Sequence, residues 1–298
     1  MAFCDPHIHM TSRTTNDYQA MADAGITMVV EPAFWMGQPR TSVGTFEDYF
    51  LSLVGWEKFR ASQFGIHHFC TIALNPKEAN NPRVNAGVLE VMPRYLNKDS
   101  VVAVGEIGLD DQTPVEKEIF SRQIQMAIDH KLPILVHTPH RDKKQGTYQC
   151  LDIVRESGIA PEMVLIDHAN EQTIATIRDY GFWAGHSLYP DTKMDVERMA
   201  TIIKKFGHEG IIINSAADWG VSDPLMVAKT AKYMEAQGID PDTIKRITWY
   251  NPVDFFAQSG RLPAKPEATL ATPLKRDQAT LFEGNSVLRG QNPVVDAV

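Results

Sequence analysis

Two histidines spaced one residue apart, in Asp5-Pro6-His7-Ile8-His9, close the short apolar run that begins the chain. Side chains alternate faces along a strand, so a strand continuing through His9 aims both imidazoles the same way. Two imidazoles on one face supply half of a metal site. Taken alone, the pair reads equally well as two solvated side chains. Further along, Glu106, His137 and His168 each end an apolar run, and Asn214-Ser215-Ala216-Ala217-Asp218 follows another. Four imidazoles and two carboxylates make a mixed nitrogen and oxygen donor set. It suits zinc or manganese first, then iron, nickel or magnesium, rather than an all-oxygen cage. Glu106 would bridge two divalent ions roughly 3.5–4 Å apart, one held by His7, His9 and Asp218 and the other by His137 and His168. A water between the ions would attack an ester, phosphoester or amide, with Asp218 accepting its proton.

These residues must be placed by strands. Apolar, β-branched runs span 3–9, 26–31, 66–74, 101–106, 133–137, 163–168, 182–186 and 210–214, and helix-length amphipathic segments separate most of them. Alternation of this kind indicates an α/β protein with a parallel sheet, and eight units close a (β/α)8 TIM-like barrel of about 250 residues. Glu106, His137 and His168 are each 31 residues from the next. One strand–helix unit takes about 30 residues, so the three side chains recur at one level of one sheet. Runs such as Ile211-Ile212-Ile213 lack alternation, as strands covered on both faces do. In a barrel, all the proposed ligands sit at the carboxyl-terminal mouth, where barrel enzymes keep their chemistry. The expected organisation is a single hydrolase barrel over residues 1–262 and an extended tail over 263–298, which is rich in Pro, Ala and Thr at its start.

A lone strand-terminal histidine is more often a hydrogen-bonded structural residue than a ligand. Six ligand-type residues at matching ends of five strands are not explained that way. Other residues near the mouth divide. Arg141, leaving the fifth strand, has the fork to grip a phosphate or carboxylate, whereas Lys143 and Lys144 read as solvated. His186 would contact substrate or simply pack. Trp35 lies in a long connection after the second strand that either binds something or lies as a surface loop pinned by its aromatics. Glu31 also faces the mouth, either orienting a ligand histidine or capping a loop. His67 and His68 begin the third strand at the opposite, structural end. His130 and His208 close helices, where a cation suits the dipole.

Charge and cysteines narrow the setting. A formal charge of −8 on 298 residues opposes broad attraction to nucleic acid or anionic membrane. No stretch approaches the roughly 20 apolar residues of a membrane span. Three scattered cysteines, Cys4, Cys70 and Cys150, form no paired spacing and fit reduced thiols in the cytoplasm.

Asp5-Pro6-His7-Ile8-His9, Val104-Gly105-Glu106-Ile107-Gly108-Leu109-Asp110, Val136-His137-Thr138-Pro139 and Ile166-Asp167-His168 together resemble the motifs of TatD-like metal-dependent hydrolases, in the amidohydrolase superfamily. The similarity reaches about Leu262. It implies a distorted (β/α)8 barrel with one or two divalent metals on His7, His9, Glu106, His137, His168 and Asp218. The better-known members are deoxyribonucleases acting at DNA ends. This chain departs from them where Thr138-Pro139-His140 precede Arg141, and where Asn214-Ser215-Ala216-Ala217-Asp218 replaces the usual Glu-Thr-Asp. The expected activity is therefore hydrolysis of a small-molecule phosphoester, ester or amide. A 3'-5' DNA exonuclease is the alternative, and a non-catalytic metal-bearing barrel acting as a partner protein is the third reading; a homo-oligomer is compatible with all three.

Overall fold

The computed structural model describes residues 1–275. Its eight strands are β1 (Phe3–Asp5), β2 (Ile26–Glu31), β3 (His67–Ile72), β4 (Val101–Gly108), β5 (Ile134–His137), β6 (Val164–Ile166), β7 (Trp183–Ser187) and β8 (Ile211–Asn214). They pair in chain order, every neighbour parallel. Helices follow the strands and bury the outer strand faces, with Ile26, Val29, Ile72, Val104, Ile134, Val136, Ile166 and Ile213 in this outer core. A second core fills the barrel's lower interior: Cys4, Met28, Val30, Val102, Leu135, Leu165 and Ile212 meet Trp249, Val253, Phe255 and Phe256. Apolar runs without alternation thus serve two cores at once. Among the described residues, no helix is long and apolar enough to cross a membrane.

No strand ladder joins β8 to β1. The barrel is closed there by the loops that leave these two strands. The His9 amide donates to the Ala217 carbonyl (2.9 Å), the Ala216 amide to the His7 carbonyl (2.8 Å), and the Ser215 amide to Asp5 Oδ1 (3.1 Å). The sequence reading carried β1 through His9, but the strand stops at Asp5. Pro6 has no N–H to continue a ladder. Asp5 Oδ1 also accepts the His7 amide (3.4 Å), turning the chain as Asx side chains do. His7 and His9 therefore converge through a turn and not through strand alternation. β6 likewise ends two residues before His168, whose φ of +59° lies in the left-handed region.

The β4–β5 register slips at Glu106: Gly105 pairs with Leu135, and Ile107 with Val136. Such an extra residue re-aims a side chain, here the carboxylate. Gly108, at φ +139°, passes so close to β5 that a Cβ would come within 2.2 Å of the His137 carbonyl oxygen. Only glycine permits that approach.

Residues 263–275 are not uniformly extended. A short helix spans Pro266–Thr269, Leu270 enters the lower core, and the Leu274 amide donates to the Gly65 carbonyl (2.9 Å). The remainder of the expected tail, 276–298, lies outside the described residues.

Candidate metal centre

Glu106 stands between two pairs of histidines. Its Oε1 is 2.9 Å from His7 Nε2 and 3.6 Å from His9 Nε2, while its Oε2 is 2.9 Å from His137 Nδ1 and 3.5 Å from His168 Nε2. Within each pair the imidazole nitrogens face each other, at 3.2 Å between His7 and His9 and 3.1 Å between His137 and His168. All five side chains are buried. His7, Glu106 and His168 each offer a ligand atom within 4.8 Å of the others. Two facing ring nitrogens share at most one proton, and among the described residues the buried Glu106 Oε1 has no partner with hydrogen-bond geometry. Converging lone pairs around a carboxylate fit a cation, which would occupy the space between the facing nitrogens and Glu106 Oε1.

The electrostatics agree with this fit. Burial, then the charge on His7, pushes His9 down to about 4, and burial with the Lys193 charge holds His168 well below the usual imidazole range. Both rings are thus neutral, as metal ligands must be. Burial alone would depress His7, yet Glu106 and Asp167 raise it to about 10. Burial would also raise Glu106, but the His7 charge and hydrogen bonds from His137 and His168 hold it well below the carboxylate range. A proton on His7 thus carries the positive charge that this pocket demands.

Asp167, to which the sequence reading assigned no role, organises the layer beneath. Its Oδ2 lies 2.5 Å from His7 Nδ1, and it accepts the His168 amide (2.7 Å) and Asn214 Nδ2 (3.0 Å) at Oδ1. The Ser187 hydroxyl is 2.7 Å from His168 Nδ1. With an ion in the site, a carboxylate on Nδ1 would fix the neutral His7 tautomer and leave Nε2 free to ligate. The clue in the sequence is the carboxylate directly before a strand-terminal histidine. Asp167→Asn is expected to weaken divalent-metal affinity by about 10–100-fold, read by chelator competition. Unchanged affinity would show that His7 needs no carboxylate behind it.

Asp218, like His9 and His137, lies outside the tight group of His7, Glu106 and His168. It is half-buried beyond β8, where its Oδ1 accepts the Tyr189 hydroxyl (3.1 Å) and the Gly220 amide (2.8 Å). Its charge still reaches His9 and Lys193. Arg141 is directed to the surface: its side chain is 80% exposed and pairs with Asp111 at 2.6 Å. His186 is buried, with Nδ1 on the Ala169 carbonyl (2.9 Å). Trp35 lies beneath Lys77, whose Nζ is 5.2 Å from the ring centroid. The aromatic that reaches the centre is its neighbour Phe34, stacked 5.4 Å from His9 and tilted 5.6 Å from His137. Buried Arg40 pins that loop, donating to the Phe34 carbonyl (2.9 Å) while paired with Glu78. Trp219, beyond β8, also stacks on His9 (5.8 Å). Lys143, read as solvated, is half-buried, and Lys193, unremarked in the sequence, lies 3.3 Å from His168 Nδ1.

Glu31 holds His68, not a ligand histidine. Its Oε2 is 2.9 Å from His68 Nε2, and its Oε1 accepts the Thr11 amide (2.8 Å). Burial lifts the Glu31 carboxyl to about 8 and pushes His68 down to about 4, so the pair is neutral at pH 7. A carboxyl raised on folding contributes stability that is complete below its unfolded value and lost as pH climbs toward 8. Glu31→Gln keeps both hydrogen bonds and removes the titration. Its melting temperature relative to the wild type is expected to rise between pH 5 and pH 8.5, by about 2–4 °C per kcal/mol of buried charge avoided. A constant offset across that range would mean that the pair is ionised.

A family model described as TatD related DNase matches residues 4–257. Over 257 residues the chain is 28% identical to an uncharacterized metal-dependent hydrolase of Methanocaldococcus jannaschii, covering 85% of this chain and 98% of that protein. The TatD-like protein of Archaeoglobus fulgidus superposes with a TM-score of 0.70 at 22% identity, over 85% of this chain and 99% of that one. A phosphotriesterase homology protein from Escherichia coli, crystallised with phosphate in its active site, superposes with a TM-score of 0.64 at 13% identity, over 86% and 98%. At such identities the two structures establish a common barrel fold.

Proposed function

The chain belongs to the TatD related DNase family and is a metal-dependent hydrolase, and from that premise we propose that it binds two divalent ions, zinc or manganese first, and hydrolyses a small phosphoester, with carboxylic esters and amides as the next candidates. The observation that carries this reading is Glu106, whose two oxygens each lie 2.9 Å from a different histidine pair. His7 and His9 with one oxygen would hold the first ion, and His137 and His168 with the other the second. When bound, such ions would supply Lewis acidity and allow a water to ionise near neutral pH.

The chain's own residues do the rest. Asp167 and Ser187 orient His7 and His168 from behind. Phe34 covers His9 and His137 and keeps bulk water from that side. Asp218 takes the water's proton and delivers it to the leaving group, with Tyr189 and the Gly220 amide holding its Oδ1. All three cysteines are buried and unpaired, which supports a reducing, cytoplasmic setting.

Elemental analysis of protein purified without chelator, joined to a panel of phosphomonoesters, phosphodiesters, carboxylic esters, amides and labelled DNA ends, tests the proposal. Divalent-dependent turnover of a small phosphoester is expected. Turnover confined to DNA ends, falling steeply with salt, would replace it with the exonuclease reading. No metal after reconstitution would remove the hydrolytic reading altogether.

A further inference from the structure

A cavity of about 260 Å3 opens beside His168, with His140, Lys143, Asn170, Lys193 and Arg198 in its wall. Three of these side chains are cationic types, and only Arg198 is ion-paired; the Glu106, Asp167 and Asp218 charges act on Lys193 from beyond ion-pairing distance. Arg198 forks onto Glu171 at 2.8 Å through both Nε and NH2, and its NH1 donates to the Lys193 carbonyl (2.5 Å). Arg198 is therefore spent on Glu171 and serves to hold the loop that carries Lys193. Lys143 donates from Nζ to the Thr138 carbonyl (3.2 Å) and hydroxyl (2.5 Å). Lys193 Nζ lies 3.3 and 3.4 Å from the two ring nitrogens of His168. Among the described residues, neither lysine has a carboxylate within ion-pairing distance.

Two ammonium groups sharing one small cavity repel each other and lose hydration. Burial, then the Lys193 charge, brings Lys143 down to about 7, and the same two lysines, after burial, depress the rim residue His140 to about 4. A protein does not gather unpaired like charges without cost, and a dianion between them removes both the repulsion and the desolvation. A carboxylate would balance one lysine, and an internal phosphodiester likewise brings a single charge. A terminal phosphate brings two charges and three acceptor oxygens.

We propose that Lys143 and Lys193 seat the terminal phosphate of a phosphomonoester, with its phosphorus held beside His168 and Glu106. This deepens the hydrolase reading and rests on it for turnover alone. Hydrolysis would form a P–O bond to water and break the P–O bond to the alcohol. One water proton passes to the departing alkoxide, and inorganic phosphate is left in the seat. The position also accounts for the missing arginine behind His137: Arg141 is at the surface with Asp111, and the cationic role falls to Lys143, which opens the helix after β5, and Lys193 in the loop after β7.

The test is calorimetric titration of the full chain, as purified, with inorganic phosphate, acetate and sulfate. Phosphate is expected to bind, and Lys193→Met and Lys143→Met each to weaken it by at least about tenfold with metal content unchanged. Lys193→Arg, which keeps the charge, is expected to retain binding within a few-fold and shows that loss is not misfolding. Equal phosphate affinity in wild type and both Met variants overturns the seat, as does acetate binding as tightly as phosphate. Phosphate binding that depends on the lysines, without metal-dependent turnover of any ester, would keep the seat and remove the hydrolase reading. Metal-dependent turnover of a carboxylic ester by a protein that ignores phosphate would do the reverse.

Discussion

Glu106→Gln protein is expected to lose most of its bound divalent metal and at least about a hundredfold of its turnover, the upper range seen when even an outer partner of a ligand is removed. Each Glu106 oxygen is 2.9 Å from a different histidine pair, so one substitution disturbs both halves of the centre. Glutamine offers one carbonyl oxygen and an NH2 that points protons at histidines. In the metal-free site it also removes the anion that keeps His7 protonated at about 10, leaving Asp167 alone to do so. Elemental analysis beside activity decides the matter: about two ions per chain in the wild type and fewer in the variant is the expected pair of results. Full metal content and full activity in the variant would end the case for a carboxylate-bridged centre.

Asp218→Asn should behave differently, with turnover falling by about 10²–10⁴-fold while metal content and melting temperature hold. Asp218 is apart from the buried histidine group, and its Oδ1 accepts the Tyr189 hydroxyl and the Gly220 amide. The amide of asparagine can accept both of those bonds, so the loop keeps its shape, but it cannot take a proton. The contrast between the two variants separates holding metal from moving a proton. Metal loss in Asp218→Asn would instead make this residue a ligand, and unchanged activity would remove it from the chemistry.

Much of the centre is legible in the sequence because local properties recur with the period of the fold. A strand–helix unit has a nearly constant length, so Glu106, His137 and His168, spaced by 31 residues, read as returning to the same end of one sheet, though not to one ladder level. The apolar runs that end in them fit strands buried on both faces. Donor chemistry needs no fold at all: imidazoles and a carboxylate at those ends already indicate a transition metal.

Direction and partnership were decided by contacts far apart in the chain. His7 and His9 converge because Pro6 ends β1 and the loops after β1 and β8 pair to close the barrel, a contact spanning more than 200 residues. Phe34 faces the histidines and Trp35 does not, because Arg40, held by Glu78, draws the Phe34 carbonyl inward. Arg141 points outward to Asp111, whereas Lys193, from a loop two strands later, fills the space beside His168. Side-chain type and spacing follow from the chain's covalent order and its helix and strand periods. Which of two adjacent residues turns inward depends on the closure of the whole barrel, and no local pattern carries that.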